Sequence, residues 1–338
     1  MHRLLGLILL GASLAVGWVW MDYRAFESTS LQLPDSGAVL VLPPGGSVAS
    51  LADELVQKGY LREGWAWYLR WLAWSSDRAG RLKAGEYRLE PGTRPGALLD
   101  LLVSGKVIQY ALTVIEGWTF RQMLEAVRAH EAIRRTLDGL DDAGIMARLG
   151  HPGEHPEGRF YPDTYRFPRG TTDADFLARA YRRMQSVIDE AWSGRAADLP
   201  YASPYEALVL ASIVEKESGT ASERDQIAGV FVRRLRKGMK LQADPTVIYG
   251  LGAEFDGNLR RRDLETDNPY NTYTRTGLPP TPICLPGGGA LRAALAPADG
   301  AALYFVARGD GTHHFSPTLE EHQRAVARFQ LRKSGRAE

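Results

Sequence analysis

The chain has 338 residues, 44% hydrophobic and 24% charged, enough for one large domain or two modest ones. Its 41 basic and 40 acidic side chains nearly cancel, so nothing in the bulk charge draws it to nucleic acid. A single cysteine, Cys284, excludes an intrachain disulfide.

The first predicted element is apolar. Leu4–Met21 (LLGLILLGASLAVGWVWM) carries no charge over eighteen residues, just the length of a helix through a bilayer core. Arg3 precedes it, and Trp18 and Trp20 stand near its other end. A basic inner flank and an aromatic outer one predict a transmembrane anchor over residues 1–22, with the rest of the chain outside the cytoplasm. A cleaved signal peptide is the competing reading. The run is long for such a peptide and no clean small-x-small site follows it.

Residues 23–37 end in Pro-Asp-Ser-Gly and read as a linker. Three segments of the form strand, glycine, helix follow, starting at Val39, Tyr87 and Leu112. Counted from Gly45, Gly92 and Gly117, apolar residues recur at the sixth, seventh and tenth positions. They are Leu51, Ala52 and Leu55; Leu98, Leu99 and Leu102; Met123, Leu124 and Val127, one helical face in each segment. Between the first two segments, Trp65, Trp67, Tyr68, Trp71 and Trp74 crowd one short helix. Such aromatics serve as core, as a surface near the membrane, or as platforms for sugar rings. A seam at Lys106–Tyr110 divides a small module, residues 38–108, from the remainder, residues 109–338. Arg134–Asp198 reads as mainly helical, broken by a Pro/Gly-rich loop over His151–Gly170.

The next helix carries the chemistry. Ser203-Pro204-Tyr205-Glu206 is a capping box with proline at the first helical position, and Gly219 is a natural stop. At 3.6 residues per turn Glu217 falls in line with Leu210, Ile213 and Val214, whereas Glu215 shares its side with Leu208, Ala211 and Ser212. An apolar stripe and the negative end of a helix dipole both disfavour a carboxylate at Glu217. The expected raised pKa suits a general acid working near neutral pH.

Ser222-Glu223-Arg224-Asp225 is a further capping signature, opening an amphipathic helix that ends in Arg233, Arg234, Arg236 and Lys237, cations suited to a helix C-terminus. Asp244-Pro245 reads as N-cap and first residue of another helix. The polar run Asn268–Gly277 mixes amides and hydroxyls with tyrosine rings, as a carbohydrate site requires; a plain loop of surface turns is the alternative. A helix near Ala290–Leu295, a hairpin turning at Gly309-Asp310-Gly311 and a last amphipathic helix from Thr318 complete the chain.

His151, Glu154, His155 and Glu157 suggest metal ligands on paper but sit in a Pro/Gly loop, and no metal is expected there. His313 and His314 adjoin in a strand and so face opposite ways. Gly287-Gly288-Gly289 reads as a lead-in to a helix, with phosphate binding as the weaker reading.

Together ASIVEKES, ASERD, LQADPTVIYG, DLET, YNTY, TGLPPTPI and LYFVARGDGTHHFSPT resemble the YceG-like endolytic murein transglycosylases. EGRFYPDTYRF from Glu157 and LKAGEYRLEPG from Leu82 extend the resemblance over nearly the whole chain from Val39. Departures are small: Ser-Gly after Glu217, and Pro282-Ile283-Cys284 after the TGLPP run. The resemblance implies an α+β protein with a transmembrane helix, a small LysM-like module and a larger catalytic domain. It implies a single-pass protein of the inner membrane, its catalytic domain in the periplasm, that cuts peptidoglycan strands internally without a cofactor. By similarity Glu217 is the catalytic acid, followed by Ser218. Ser218, Asp244, Thr246, Tyr249, Asn271, Tyr273 and Thr274 are taken as substrate-binding candidates around it. Such an enzyme would terminate nascent strands and could dock with peptidoglycan synthases. The rival reading is a non-catalytic, membrane-anchored wall-binding protein.

Overall fold

The computed structural model describes residues 2–331. The architecture is mixed α+β, and the chain divides into two compact units.

Unit 1 comprises residues 1–110 and a return segment, Arg166–Gly170. It opens with α1 (His2–Ser28), whose apolar part is long enough to cross a bilayer and is not buried against the rest of the protein. The helix does not stop at Asp22. Tyr23 to Ser28, expected as linker, continue it because Phe26 is fully buried in this unit's core and Tyr23 packs beside it. Then come β1 (Ala38–Leu42), α2 (Val48–Gln57), α3 (Ala66–Ser75), β2 (Gly85–Leu89) and α4 (Pro95–Ser104). Strands β1 and β2 pair antiparallel, Ala38 opposite Leu89 and Leu42 opposite Gly85.

Unit 2 holds most of β3 (Tyr110–Thr113), then α5 (Phe120–Ala129), α6 (Asp142–Arg148) and the start of β4 (Thr164–Phe167). The loop expected over residues 151–170 therefore contains a strand. After it come α7 (Asp173–Ser193), α8 (Pro204–Glu217), α9 (Arg224–Arg236), α10 (Asp244–Leu251), α11 (Arg261–Glu265) and α12 (Gly288–Leu295). The hairpin β5 (Tyr304–Ala307) and β6 (His313–Ser316) pairs antiparallel and leads into α13 (Leu319–Val326).

The threefold sequence pattern has a backbone counterpart. Gly45, Gly92 and Gly117 all have positive φ, and α2, α4 and α5 each begin three residues later. Only glycine adopts that turn without strain. All nine apolar residues of the pattern are buried. The first two copies build unit 1, and the third opens unit 2.

Helix α8 is the axis of the larger core. Ala207 to Val214 are buried without interruption, so the helix is apolar all round and packs on α7, α9, α10 and α12. The expected capping box at Ser203 and Glu206 is present. Ser212 fastens a neighbouring loop to this helix: its Oγ accepts the Ile283 N–H at 3.0 Å. Because residues 207–214 are enclosed, α8 reaches solvent only at its two ends, and the site forms at the C-terminal one.

Candidate active site

The last turn of α8 sends its two glutamates to opposite fates. Glu215 is nearly buried and fully partnered. Its carboxylate takes the Arg224 guanidinium at 2.9 Å and the Gly287 N–H at 2.9 Å. Gly287 is the N-cap of α12, so the anion seated at that helix start is the protein's own Glu215. The three glycines allow this closeness: a Cβ at Gly287 would collide with Glu116, and one at Gly289 with Arg224. Burial pushes the Glu215 carboxyl up, opposed by the Gly287 bond and Arg224.

Glu217 is partly buried and lines a cavity of about 480 Å³. The walls come from α9 through Arg234, the α9–α10 connection through Leu241 and Gln242, the start of α10 through Asp244, the 268–277 loop through Tyr273, and β5, β6 and α13. Burial pushes the Glu217 carboxyl up to about 8, and the nearby Asp244 carboxylate adds to the rise. The Arg234 guanidinium pulls the other way and is outweighed. Among the described residues Glu217 has no ion pair within reach, so only the charge of Arg234 favours its anion.

Arg234 is buried and locked. Its Nε donates to the Leu303 carbonyl at 2.7 Å and Nη1 to the Leu241 carbonyl at 2.7 Å, and the guanidinium lies over the Tyr304 ring. Carbonyls satisfy it without neutralising it, so its charge remains available to the cavity. Next to it Gln242 holds φ at +53°, a conformation rare for a side-chain-bearing residue, and also lines the cavity. Across the cavity His313 is oriented by Glu223, whose carboxylate takes both the His313 N–H at 3.0 Å and Nδ1 at 2.8 Å. Ser222 therefore does not cap α9 as expected, and Glu223 serves the histidine. His322 stacks on Tyr304, and its buried Nδ1 has no hydrogen-bond partner among the described residues.

The predicted residues divide. Glu217, Asp244 and Tyr273 come together at the cavity, where the Tyr273 hydroxyl donates to Asp244. The expected N-cap role of Asp244 is not seen: Ala243 occupies that position without a side-chain cap, and the Asp244 carboxylate is engaged by Tyr273. Ser218 closes α8 beside Glu217, its Oγ facing Arg224 Nε at 3.4 Å. Thr246 and Asn271 are fully buried and do not face the cavity. Thr246 bonds Thr272 and the Ala243 carbonyl, and Asn271 Nδ2 donates to the carbonyls of Asp263, Leu264 and Thr266. Tyr249 donates to the buried Glu157, and Thr274 to Asp267. The four residues that suggested a metal are engaged in other contacts: His151 stacks on Tyr181, Glu154 accepts from Tyr181, and the His155 ring accepts the Glu157 N–H. Glu157 itself is tied to Phe120 and Tyr249.

Arg234, Gln242, Tyr304, His313 and His322 were not singled out as site residues from the sequence. Arg234 had a readable signal. It stands three residues after Phe231 and four after Val230, on the apolar stripe of α9, where a cation is as anomalous as Glu217 is on α8.

Known proteins share this arrangement of chain. An endolytic murein transglycosylase of Bacillus subtilis is 31% identical over 307 residues, covering 85% of this chain and 83% of that protein. One from Streptococcus pneumoniae is 27% identical over 338 residues, covering 85% of this chain but only 57% of its own length. A crystal structure of a YceG-like protein from Listeria monocytogenes superposes with a TM-score of 0.55 at 28% identity, over 86% of this chain and 99% of that one. The YceG-like family profile matches residues 40–328, so the chain belongs to the YceG-like family.

Proposed function

We propose that this chain is a membrane-anchored lytic transglycosylase that cleaves peptidoglycan strands internally, with Glu217 as its acid and then its base. The observation that carries the reading is the Glu217 carboxyl, kept protonated near neutral pH at the edge of a cavity wide enough for a sugar unit. The related proteins named as endolytic murein transglycosylases support the same class of substrate.

In this mechanism protonated Glu217 donates to the glycosidic oxygen between N-acetylmuramic acid and N-acetylglucosamine. As that bond breaks, the muramyl C6 hydroxyl attacks C1 and gives its proton to the Glu217 carboxylate. The products are a free 4-hydroxyl and a 1,6-anhydro end, and the acid is regenerated. The sugar supplies the nucleophile, so the second carboxylate of the ordinary glycosidase pair is not needed. Asp244 instead raises the proton affinity of Glu217 and, with Tyr273, faces the developing oxocarbenium charge. Arg234 steadies the Glu217 carboxylate formed midway.

The reading takes α1 as the anchor, residues 38–108 as a LysM-like module and residues 109–338 as the catalytic domain. The strand–helix–helix–strand order of β1, α2, α3 and β2 around its own core supports a separate module. Arg3 at the inner flank and the tryptophans at the outer end favour a catalytic domain in the periplasm of the inner membrane. Termination of growing strands beside peptidoglycan synthases fits that location.

The test is digestion of purified sacculi with mass analysis of the ends. Anhydro ends, one water lighter than hydrolytic products, are expected, and Glu217→Gln should release at least about a hundredfold fewer while still binding glycan. Reducing muramic ends would make the protein a hydrolase. Sacculi bound but never cut by the wild type would make it a wall-binding protein. Activity retained by Glu217→Gln would move the assignment to Glu215.

A further inference from the structure

Six of the eight tryptophans lie between residues 18 and 74, and the structure separates them into two groups by what they touch. One face of α3 belongs to the core: Tyr68, Leu69 and Ala73 are buried. The opposite face carries Trp67, Trp71 and Trp74, spaced four and three residues apart and so aligned on one side of the helix. They are 52%, 46% and 73% exposed. Large aromatic side chains left outside in a row, when the same helix buries smaller ones, are an unsatisfied apolar surface.

Where that surface lies along α1 says what covers it. Tyr68 donates to the Val19 carbonyl at 3.2 Å, Trp65 Nε1 donates to Asp22 at 3.2 Å, and the Trp71 and Tyr23 rings meet edge to face at 5.0 Å. All three contacts fall on Val19 to Tyr23, where the uncharged run of α1 ends and its first acidic residue appears. Eighteen helical residues span about 27 Å, close to the hydrocarbon thickness of a bilayer. Val19 to Tyr23 therefore stands at the boundary between acyl chains and head groups, the level that Trp and Tyr prefer. An apolar hollow of about 490 Å³ lined by Ala15, Val16, Val19, Trp20, Trp67 and Trp71 joins the two helices.

We infer that α3 is a second membrane contact, with Trp67, Trp71 and Trp74 seated in the lipid head-group region beside the point where α1 leaves the bilayer. The lipid-facing surface of α1 runs without a break onto that stripe. The inference rests on the reading of α1 as a membrane span. One helix crossing a bilayer leaves the attached unit free to swivel and tilt; a helix lying in the interface beside it fixes unit 1 against the membrane.

The test uses the full chain reconstituted in phosphatidylethanolamine–phosphatidylglycerol vesicles, with single nitroxide labels at Trp74→Cys and Leu10→Cys. The native Cys284 is fully buried, and the unsubstituted chain serves as the blank. Collision with oxygen, which partitions into lipid, is compared with collision by a water-soluble nickel chelate. A ratio at position 74 several-fold above that of the same protein in lipid-free detergent-exchanged buffer, and below that at position 10, is the expected result. Position 10 in lipid and position 74 in water would overturn the interfacial role of α3 and leave the anchor intact. Position 10 in water would overturn both. Trp74→Cys changes the most exposed of the three, so the label does not disturb the core.

Discussion

The two flanks of the last turn of α8 carry the same side chain and use it in opposite ways. On one flank Glu215 has a guanidinium, a helix N-terminus and a glycine-lined bed, and its charge is part of the structure. On the other, Glu217 has a neighbouring carboxylate, a locked cation held by other groups, and an open cavity. Burial raises both carboxyls. What differs is compensation: Glu215 is given partners for its anion, and Glu217 is denied them. A carboxyl that the fold declines to satisfy is the one left free to exchange a proton.

The largest expected effect separates the flanks outright. Glu217→Gln should lower strand cleavage by about 100- to 10,000-fold, read as anhydro ends released from sacculi. The same substitution should make the protein more stable. The folded pKa of Glu217 lies near 8 against an ordinary value of 4.5, so the unfolded chain ionises first and stability is lost as pH rises from 4.5 to 8. Glutamine removes that loss, so the variant's advantage in urea should be absent at pH 4 and grow to a few kcal/mol by pH 8. A variant no more stable at pH 8 would sink the claim that Glu217 is held uncompensated.

Arg234→Met should cost about 3 kcal/mol, because the carbonyls of Leu303 and Leu241 lose their donor inside the protein. Urea midpoints measure it, and Arg234→Lys should recover only part, since an ammonium cannot reproduce the fork. On the Glu215 flank Arg224→Met should cost about 2 kcal/mol at neutral pH and less near pH 4, where Glu215 can take up a proton. Cleavage by the folded variant should stay within a few-fold of wild type. A hundredfold loss would mean that the two flanks are not separate.

The smallest effect is the finest probe. Asp244→Asn removes the like charge that helps raise Glu217, so the alkaline limb of the pH–rate profile should move down by about one unit. Asparagine keeps an acceptor for Tyr273, so an unmoved limb would show that Asp244 acts through its hydrogen bond alone.

Much of this was legible because periodicity reports burial. The three glycine-led segments could be read since a turn with positive φ and a buried helical face both leave fixed spacings. Glu217 was found by its alignment with Leu210, Ile213 and Val214, although Ala207 to Val214 are buried without interruption and the faces of α8 differ only at its ends. Other residues were misplaced for a common reason. Asp244 and Ser222 have the types that cap helices, yet the Asp244 carboxylate is taken by Tyr273, and at the start of α9 the side chain put to use is Glu223, on His313. Local propensity cannot foresee a partner distant in sequence. Asn271 looked like a sugar ligand because it is polar in a polar loop, and it turns inward to brace three carbonyls. His313 and His322 reach the cavity through a hairpin and a helix whose docking no local pattern records.

That docking bears on when the protein can act. Nine of the fifteen residues around the cavity belong to Tyr304 and beyond, so its far wall is made last. A ribosome that has already released the glutamate of α8 has yet to translate β5, β6 and α13. The nascent polypeptide thus carries Glu217 for a long stretch of synthesis before the far wall of its cavity exists. A product truncated before Leu319 would keep Glu217 and lack Leu319, His322, Val326 and Gln330 from the cavity wall.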